Sequence, residues 1–180
     1  MAPNGLDTRP TSDMARESLF NILSFEIRDA RFLDLFSGSG AVGLEALSRG
    51  AEEAVFVENA GPAIAALTQN LEKTKLASAA EVLKMPVAKA IDSLSATGRQ
   101  FDIIFLDPPY DTDLLAKTLA KLAGANILTK DGIIVAETGS ELCVEMPEAF
   151  EITDTRIYGR SCFIFIHNGA LPQTPPLRRE

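Results

Sequence analysis

The chain has no tryptophan, a single histidine (His167) and two cysteines, Cys143 and Cys162, among its 180 residues. Neither cysteine has a partner at metal-ligand or redox spacing, so no metal centre is expected. Both thiols read as reduced side chains of a cytoplasmic protein. No apolar run approaches the ~20 residues that cross a bilayer, and the first residues lack the apolar stretch of a signal peptide, so no membrane partner is expected. Positive charge is also scarce. Lys and Arg number 17 against 25 Asp and Glu, a net charge of −8. That argues against the broad basic face on which nucleic-acid phosphates usually rest. Arg9, Arg16, Arg49, Lys73, Lys75, Lys84, Arg156 and Arg160 leave room for a local patch only, and most of them read as solvated surface charge. Hydrophobic residues make up 46% of the chain, enough for one compact domain with a sizeable core.

The most informative run is Asp107-Pro108-Pro109-Tyr110, which closes the apolar segment Phe101-Asp102-Ile103-Ile104-Phe105-Leu106. The segment reads as a buried strand. Two consecutive prolines fix φ and remove two N–H donors. The corner is left with a carboxylate, the Pro108 carbonyl and an aromatic ring. Such groups suit a flat base with an exocyclic amine: the acceptors take the amine hydrogens and the ring stacks. Turn chemistry alone also uses these residues.

A second run, Phe32-Leu33-Asp34-Leu35-Phe36-Ser37-Gly38-Ser39-Gly40-Ala41-Val42-Gly43, reads as a strand, a Gly-rich turn and the start of a helix. Gly38, Gly40 and Gly43 fit GxGxxG, a weak signal by itself because glycine often serves only the geometry of such turns. Its strand-to-helix setting raises it to a nucleotide-type cofactor site. The next strand ends in Glu58, followed by Asn59. An acid at that place binds the two ribose hydroxyls of an adenosine group. The same glycines serve NAD proteins by approaching a pyrophosphate. Asp34 would repel one and suits an ammonium, which favours S-adenosylmethionine over NAD.

The periodicities predict a helix capped by Thr11 or Ser12, with Ala15, Leu19, Ile22 and Leu23 on one face. Strands are predicted over 31–36, 53–58, 80–84, 101–107 and 132–138, and helices over 41–49, 61–74, 87–96 and 112–123. Gly50 is the expected stop of the second helix. Two further strands, 151–157 and 162–167, read as an antiparallel hairpin at one edge. Alternation of this kind implies an α/β fold, doubly wound around a mostly parallel seven-stranded sheet. The expected division is an N-terminal extension over 1–10, a single domain over 11–168 and a disordered tail over 169–180.

With those motifs in place, the chain resembles the RsmD-type 16S rRNA guanine-2-amino methyltransferases. The resemblance spans roughly 8–168 and rests on several runs. They are Arg9-Pro10-Thr11-Ser12-Asp13 with Arg16-Glu17 and Phe20-Asn21, Asp34 to Gly40, Gly43-Leu44-Glu45-Ala46-Leu47-Ser48-Arg49-Gly50, Glu58, Asp107 to Tyr110, and Tyr158-Gly159. The resemblance implies a Rossmann-like S-adenosylmethionine-dependent methyltransferase. It would act on a guanine of 16S rRNA in a small-subunit particle, as a monomer in the cytoplasm. It implies a cofactor site of Asp34, Phe36, Ser37, Gly38, Gly40, Gly43, Glu58, Asn59 and Val87, and a catalytic set of Asp107, Pro108, Pro109 and Tyr110. Arg9 and Arg160, each in a matching segment, are the expected substrate contacts. Two departures stand out. The family usually begins with a basic strand pair, whereas this chain starts Met1-Ala2-Pro3-Asn4-Gly5-Leu6-Asp7. Weak, salt-sensitive capture of RNA is the expected consequence. After the third strand, where the family has Asp or Asn against the adenine amine, this chain has Met85-Pro86-Val87, leaving the Val87 N–H and apolar packing for that task. Amino methyl transfer to DNA adenine or to a protein glutamine, and a non-catalytic cofactor-binding module, stay open as alternatives.

Overall fold

A computed structural model describes residues 10–109, 112–139, 145–159 and 161–169. Its elements run α1 (Pro10–Ile22), β1 (Arg31–Leu35), α2 (Ala41–Ser48), β2 (Glu53–Glu58), α3 (Gly61–Thr74), β3 (Ala80–Lys84), α4 (Val87–Ala96), β4 (Phe101–Leu106), α5 (Thr112–Ala125), β5 (Leu128–Gly139), β6 (Phe150–Tyr158) and β7 (Ser161–Asn168). The seven strands form one sheet in the order β3-β2-β1-β4-β5-β7-β6. The first five are parallel, and β7 joins β5 and β6 antiparallel. This is the doubly wound sheet with an edge hairpin that the alternation predicts.

The central strands are apolar on both sides because helices cover both faces. On one face Ala90, Ile91 and Leu94 of α4 and Leu115, Leu119 and Leu122 of α5 pack with Leu33, Val55, Ile104 and Ile134. On the other, Ala15 and Leu19 of α1, Leu23 just after it, Ala46 and Leu47 of α2 and Leu67 and Leu71 of α3 pack with Phe32, Phe56, Phe105 and Phe163. Arg31 clamps Asp102 through its backbone N–H, Nε and Nη2, tying the starts of β1 and β4 together.

Helix ends follow their local chemistry. Pro62 opens α3, where the missing N–H costs nothing. Gly50, at φ 101°, closes α2: its N–H donates to the Leu47 carbonyl and the Ala51 N–H to the Ala46 carbonyl. One predicted boundary is corrected. Helix α1 begins at Pro10, so Thr11 and Ser12 lie in its first turn rather than at its cap. Proline is pre-shaped for that first position, which moves the start upstream. Strand β5 is longer than predicted, starting at Leu128 instead of 132, because Phe101 pairs with Leu128 before an irregularity in the ladder.

Candidate functional site

The strand order reverses direction between β1 and β4, and ligands in such sheets bind beyond the carboxyl ends of the strands at that switch point. A cavity of about 1350 Å³ opens there. Typical small-molecule sites take roughly 300–1,000 Å³, so it has room for two ligands side by side. Phe36, Val57, Glu58, Asn59, Ala60, Met85, Pro86, Val87 and Ile91 line one part. Phe105, Asp107, Pro108, Pro109, Glu137, Ser161 and Phe163 line another, with Arg16 and Leu19 from α1 and Leu114, Lys117, Thr118 and Lys121 from α5.

The turn after β1 is built by its backbone. Phe36 stands at φ 65°, a left-handed conformation that is rare for a bulky side chain and concentrates at functional turns. The Ser37 N–H donates to the Val57 carbonyl at 3.0 Å and the Gly40 N–H to the Ser37 carbonyl at 2.8 Å. Glu58 ties the turn to β2. One carboxylate oxygen accepts the Gly38 N–H at 2.8 Å, and the other accepts the N–H groups of Asn59 and Ala60, each at 2.8 Å. The first oxygen keeps a lone pair for a ligand hydroxyl.

Two of the three glycines are needed for packing. A Cβ on Gly40 would overlap Leu67, and one on Gly43 would meet the buried Phe56 ring, with its Cζ 2.8 Å away, and Asp34 Oδ2 at 3.1 Å. The glycines bring α2 and α3 down onto the sheet and leave the cavity wall to Phe36, Ala41 and Val42.

Asp34 is placed differently from its expected position against a ligand ammonium. It is 2% exposed, lies under the turn, and its Oδ2 accepts the Gly43 N–H at 3.0 Å. It does not line the cavity. Alternation along β1 sends it to the face of Phe32 and Phe56 rather than up through the strand's end. Burial pushes its carboxyl up to about 7 despite the Gly43 hydrogen bond, and the charges of Asp107 and Glu58 add to the rise. Ser37 is also turned inward, its Oγ donating to the Val57 carbonyl at 3.3 Å.

Asp107, Pro108 and Pro109 stand where the sequence predicts, at the end of β4. Asp107 keeps surface open to solvent, yet the cleft walls strip much of its hydration. That desolvation, followed by the charge of Glu137, pushes its carboxyl up to about 7. Val87 lines the cavity at the first position of α4, where N–H groups have no intrahelical acceptor. Met85 fills the neighbouring wall and packs on the core below α4. Tyr110, Arg9 and Arg160 lie outside the described residues, as does Cys143.

Several lining residues, Arg16 apart, are not singled out by sequence motif. Glu137 ends β5, one strand over from Asp107, and only the pairing of β4 with β5 reveals the neighbourhood. Arg16, Lys117 and Lys121 rim the cavity and pair with Asp13, Asp113 and Asp92. Of the other candidate cations, Arg49 pairs with Glu45 over the Phe20 ring and Arg156 with Asp154, so both serve local structure.

The family model described as conserved hypothetical protein 95 matches residues 1–167. The chain is 40% identical to YlbH of Bacillus subtilis (strain 168) over 144 residues, 80% of this chain and 77% of that protein. It is 38% identical to the ribosomal RNA small subunit methyltransferase D of Escherichia coli (strain K12) over 139 residues, 77% of this chain and 68% of that one. The solved structure of yhhF from Escherichia coli superposes with a TM-score of 0.79 at 34% identity, covering 95% of this chain and 92% of that one. SMU.776, solved in complex with SAH, shares the fold at a TM-score of 0.74 and 18% identity, covering 92% of this chain and 52% of that one.

Proposed function

This chain belongs to the family described as conserved hypothetical protein 95, the RsmD-like group, and on that premise we propose that it moves a methyl group from S-adenosylmethionine to the exocyclic 2-amino group of a guanine in 16S ribosomal RNA. The observation that carries the proposal is the convergence of Glu58, Val87 and Asp107-Pro108-Pro109 on one cavity large enough for a cofactor and a base.

The residues present fit the cofactor. Glu58 offers an acceptor to a ribose hydroxyl, the start of α4 offers N–H groups to the adenine edge, and Phe36, Met85 and Ile91 supply apolar walls. Asp34 acts from beneath by holding the Gly43 N–H and so the path of the turn. Bound there, the cofactor supplies an electrophilic methyl group on a positively charged sulfur. Glu58→Ala is expected to weaken cofactor binding by about 1–3 kcal/mol, the usual loss for hydrogen bonds to a charged group. Titration calorimetry with S-adenosylhomocysteine checks it; unchanged affinity would remove Glu58 from the site.

On the substrate side, the guanine amine is a poor nucleophile because its lone pair is delocalised into the ring. Asp107 and the Pro108 carbonyl accept its hydrogens, orient it and favour a tetrahedral nitrogen. Tyr110 is assigned the stacking contact with the flipped base, and Arg9 and Arg160 the phosphates of the RNA. The amine proton becomes acidic only once nitrogen carries positive charge, so its loss to Asp107 or to water needs no strong base. The expected substrate is the small-subunit particle, met in the cytoplasm by a monomeric enzyme.

The test offers labelled cofactor with bare 16S rRNA, small-subunit particles, DNA and protein, followed by digestion and chromatography of the labelled product. Label in 2-methylguanosine is the expected result. Label in DNA adenine or in a protein glutamine replaces the proposal with that activity, and cofactor binding without transfer to any of them leaves a binding module.

A further inference from the structure

We propose that Glu137 selects guanine, its carboxylate accepting the ring N1–H that lies beside the amine held by Asp107 and Pro108. The assignment rests on the guanine reading above and adds the residue that distinguishes guanine from other amino-bearing groups.

Leu106 of β4 pairs with Ala136 of β5, so Asp107 and Glu137 are the next residues on the two neighbouring strands. Alternation puts both on the face of Phe105 and Val135, where α1 lies, and β7 brings Phe163 opposite Glu137. Both carboxylates line the cavity between the Phe105 and Phe163 walls. Among the described residues no hydrogen-bond donor or cation pairs with Glu137. The three described cations on the cavity rim are each engaged with another acid: Arg16 with Asp13, Lys117 with Asp113, Lys121 with Asp92. Among the described residues the two carboxylates share a cleft without a neutralising partner, and the charge of Glu137 raises the Asp107 pKa as expected for such neighbours.

A ligand that presents several adjacent N–H groups relieves that repulsion. Guanine does so: its N1–H sits directly beside the 2-amino group, giving a run of donors along one edge. Adenine and cytosine present a ring nitrogen lone pair beside their amines, and a glutamine amide presents its carbonyl oxygen. Each would place an acceptor against the Glu137 carboxylate. Sites built to hydrogen-bond a substrate N–H reject analogues that lack it strongly, because the buried partner is left unpaired. Glu137 thus acts as a specificity residue, while Asp107 handles the reacting amine.

The test compares wild type with Glu137→Gln on small-subunit particles. The labelled base is mapped first. Particles are then reconstituted with guanine or 2-aminopurine at that position. 2-Aminopurine keeps the 2-amino group but carries a lone pair at N1, which a glutamine amide can donate to and a carboxylate cannot. It also lacks the 6-oxo group, a difference common to both enzymes, so the change in preference on substitution is the readout. Wild type is expected to favour guanine by about 100-fold or more, and Glu137→Gln to reduce that preference at least about tenfold, with S-adenosylhomocysteine affinity unchanged. A merely structural role would lower both rates together. Guanine labelled by wild type with the same preference in Glu137→Gln overturns the assignment and leaves the function standing. Label on another base, or none, overturns the guanine reading and the assignment with it.

Discussion

Asp107→Ala is expected to lower methyl transfer by about 100-fold or more while S-adenosylhomocysteine binds almost as tightly as to wild type. The magnitude follows the loss of a preorganised polar group at a reacting centre. The separation follows from the site: Asp107 lies at the end of β4, and the residues offered to the cofactor lie at the ends of β1, β2 and β3. The same carboxyl sets a pH dependence. Only its ionised form accepts hydrogens through both oxygens, and desolvation by the cleft walls, followed by the charge of Glu137, pushes its carboxyl up to about 7. The transfer rate should therefore rise with pH and level off above about 7, falling about tenfold per unit on the acid side. The other titratable groups lining the cavity, Glu58, Glu137, Arg16, Lys117 and Lys121, set the background charge. Asp107→Asn keeps an acceptor that does not titrate and should flatten the profile. A rate for Asp107→Ala equal to wild type, or a pH rise that persists in Asp107→Asn, would show that another group handles the amine.

The second large effect is on stability. Burial pushes the Asp34 carboxyl in the folded chain up to about 7 from its ordinary 3.8. Between those values the folded chain holds a proton that the unfolded chain has released. Raising the pH therefore favours unfolding. The stabilisation associated with the protonated acid is complete below about 4 and lost as the pH passes through about 7. At 1.36 kcal/mol per unit, the loss amounts to ~4 kcal/mol. Asp102 works in the opposite sense. Arg31 holds its carboxyl below the usual range, so its contribution disappears only on the acid side of this window. Asp34→Asn retains an acceptor for the Gly43 N–H and has no proton to lose. Urea unfolding at pH 5 and pH 7.5 should show wild type losing about 2–3 kcal/mol more than Asp34→Asn, since part of the loss already lies below pH 5. Parallel profiles would mean that Asp34 is already ionised in the folded apo protein.

Much of this architecture is legible in one dimension because it depends on local chemistry. Strand β2, helices α3 and α4 and strand β3 have the boundaries that periodicity predicts, and α2 stops at the predicted Gly50. A hydrophobic period selects helix or strand without reference to distant residues. The Asp-Pro-Pro corner and the acid after β2 are equally local, since the end of a parallel strand in this fold class is where ligands collect.

What the sequence by itself determined is the set of elements, the class of sheet they form and the chemical groups at the strand ends. Tertiary structure alone decided where those groups point and what stands beside them. Asp34, placed by motif among the ligand contacts, is turned by strand alternation beneath the glycine turn, where burial and one backbone N–H govern it. Gly40 and Gly43 answer to the Leu67 and Phe56 side chains, contacts separated widely along the chain. Glu137 has no motif around it and acquires its neighbour only when β5 docks against β4, some thirty positions from Asp107. The physical reason is that propensity and capping act over a turn or two of chain. A carboxylate's hydration and charge partners are set by whatever folding brings within a few ångströms of it.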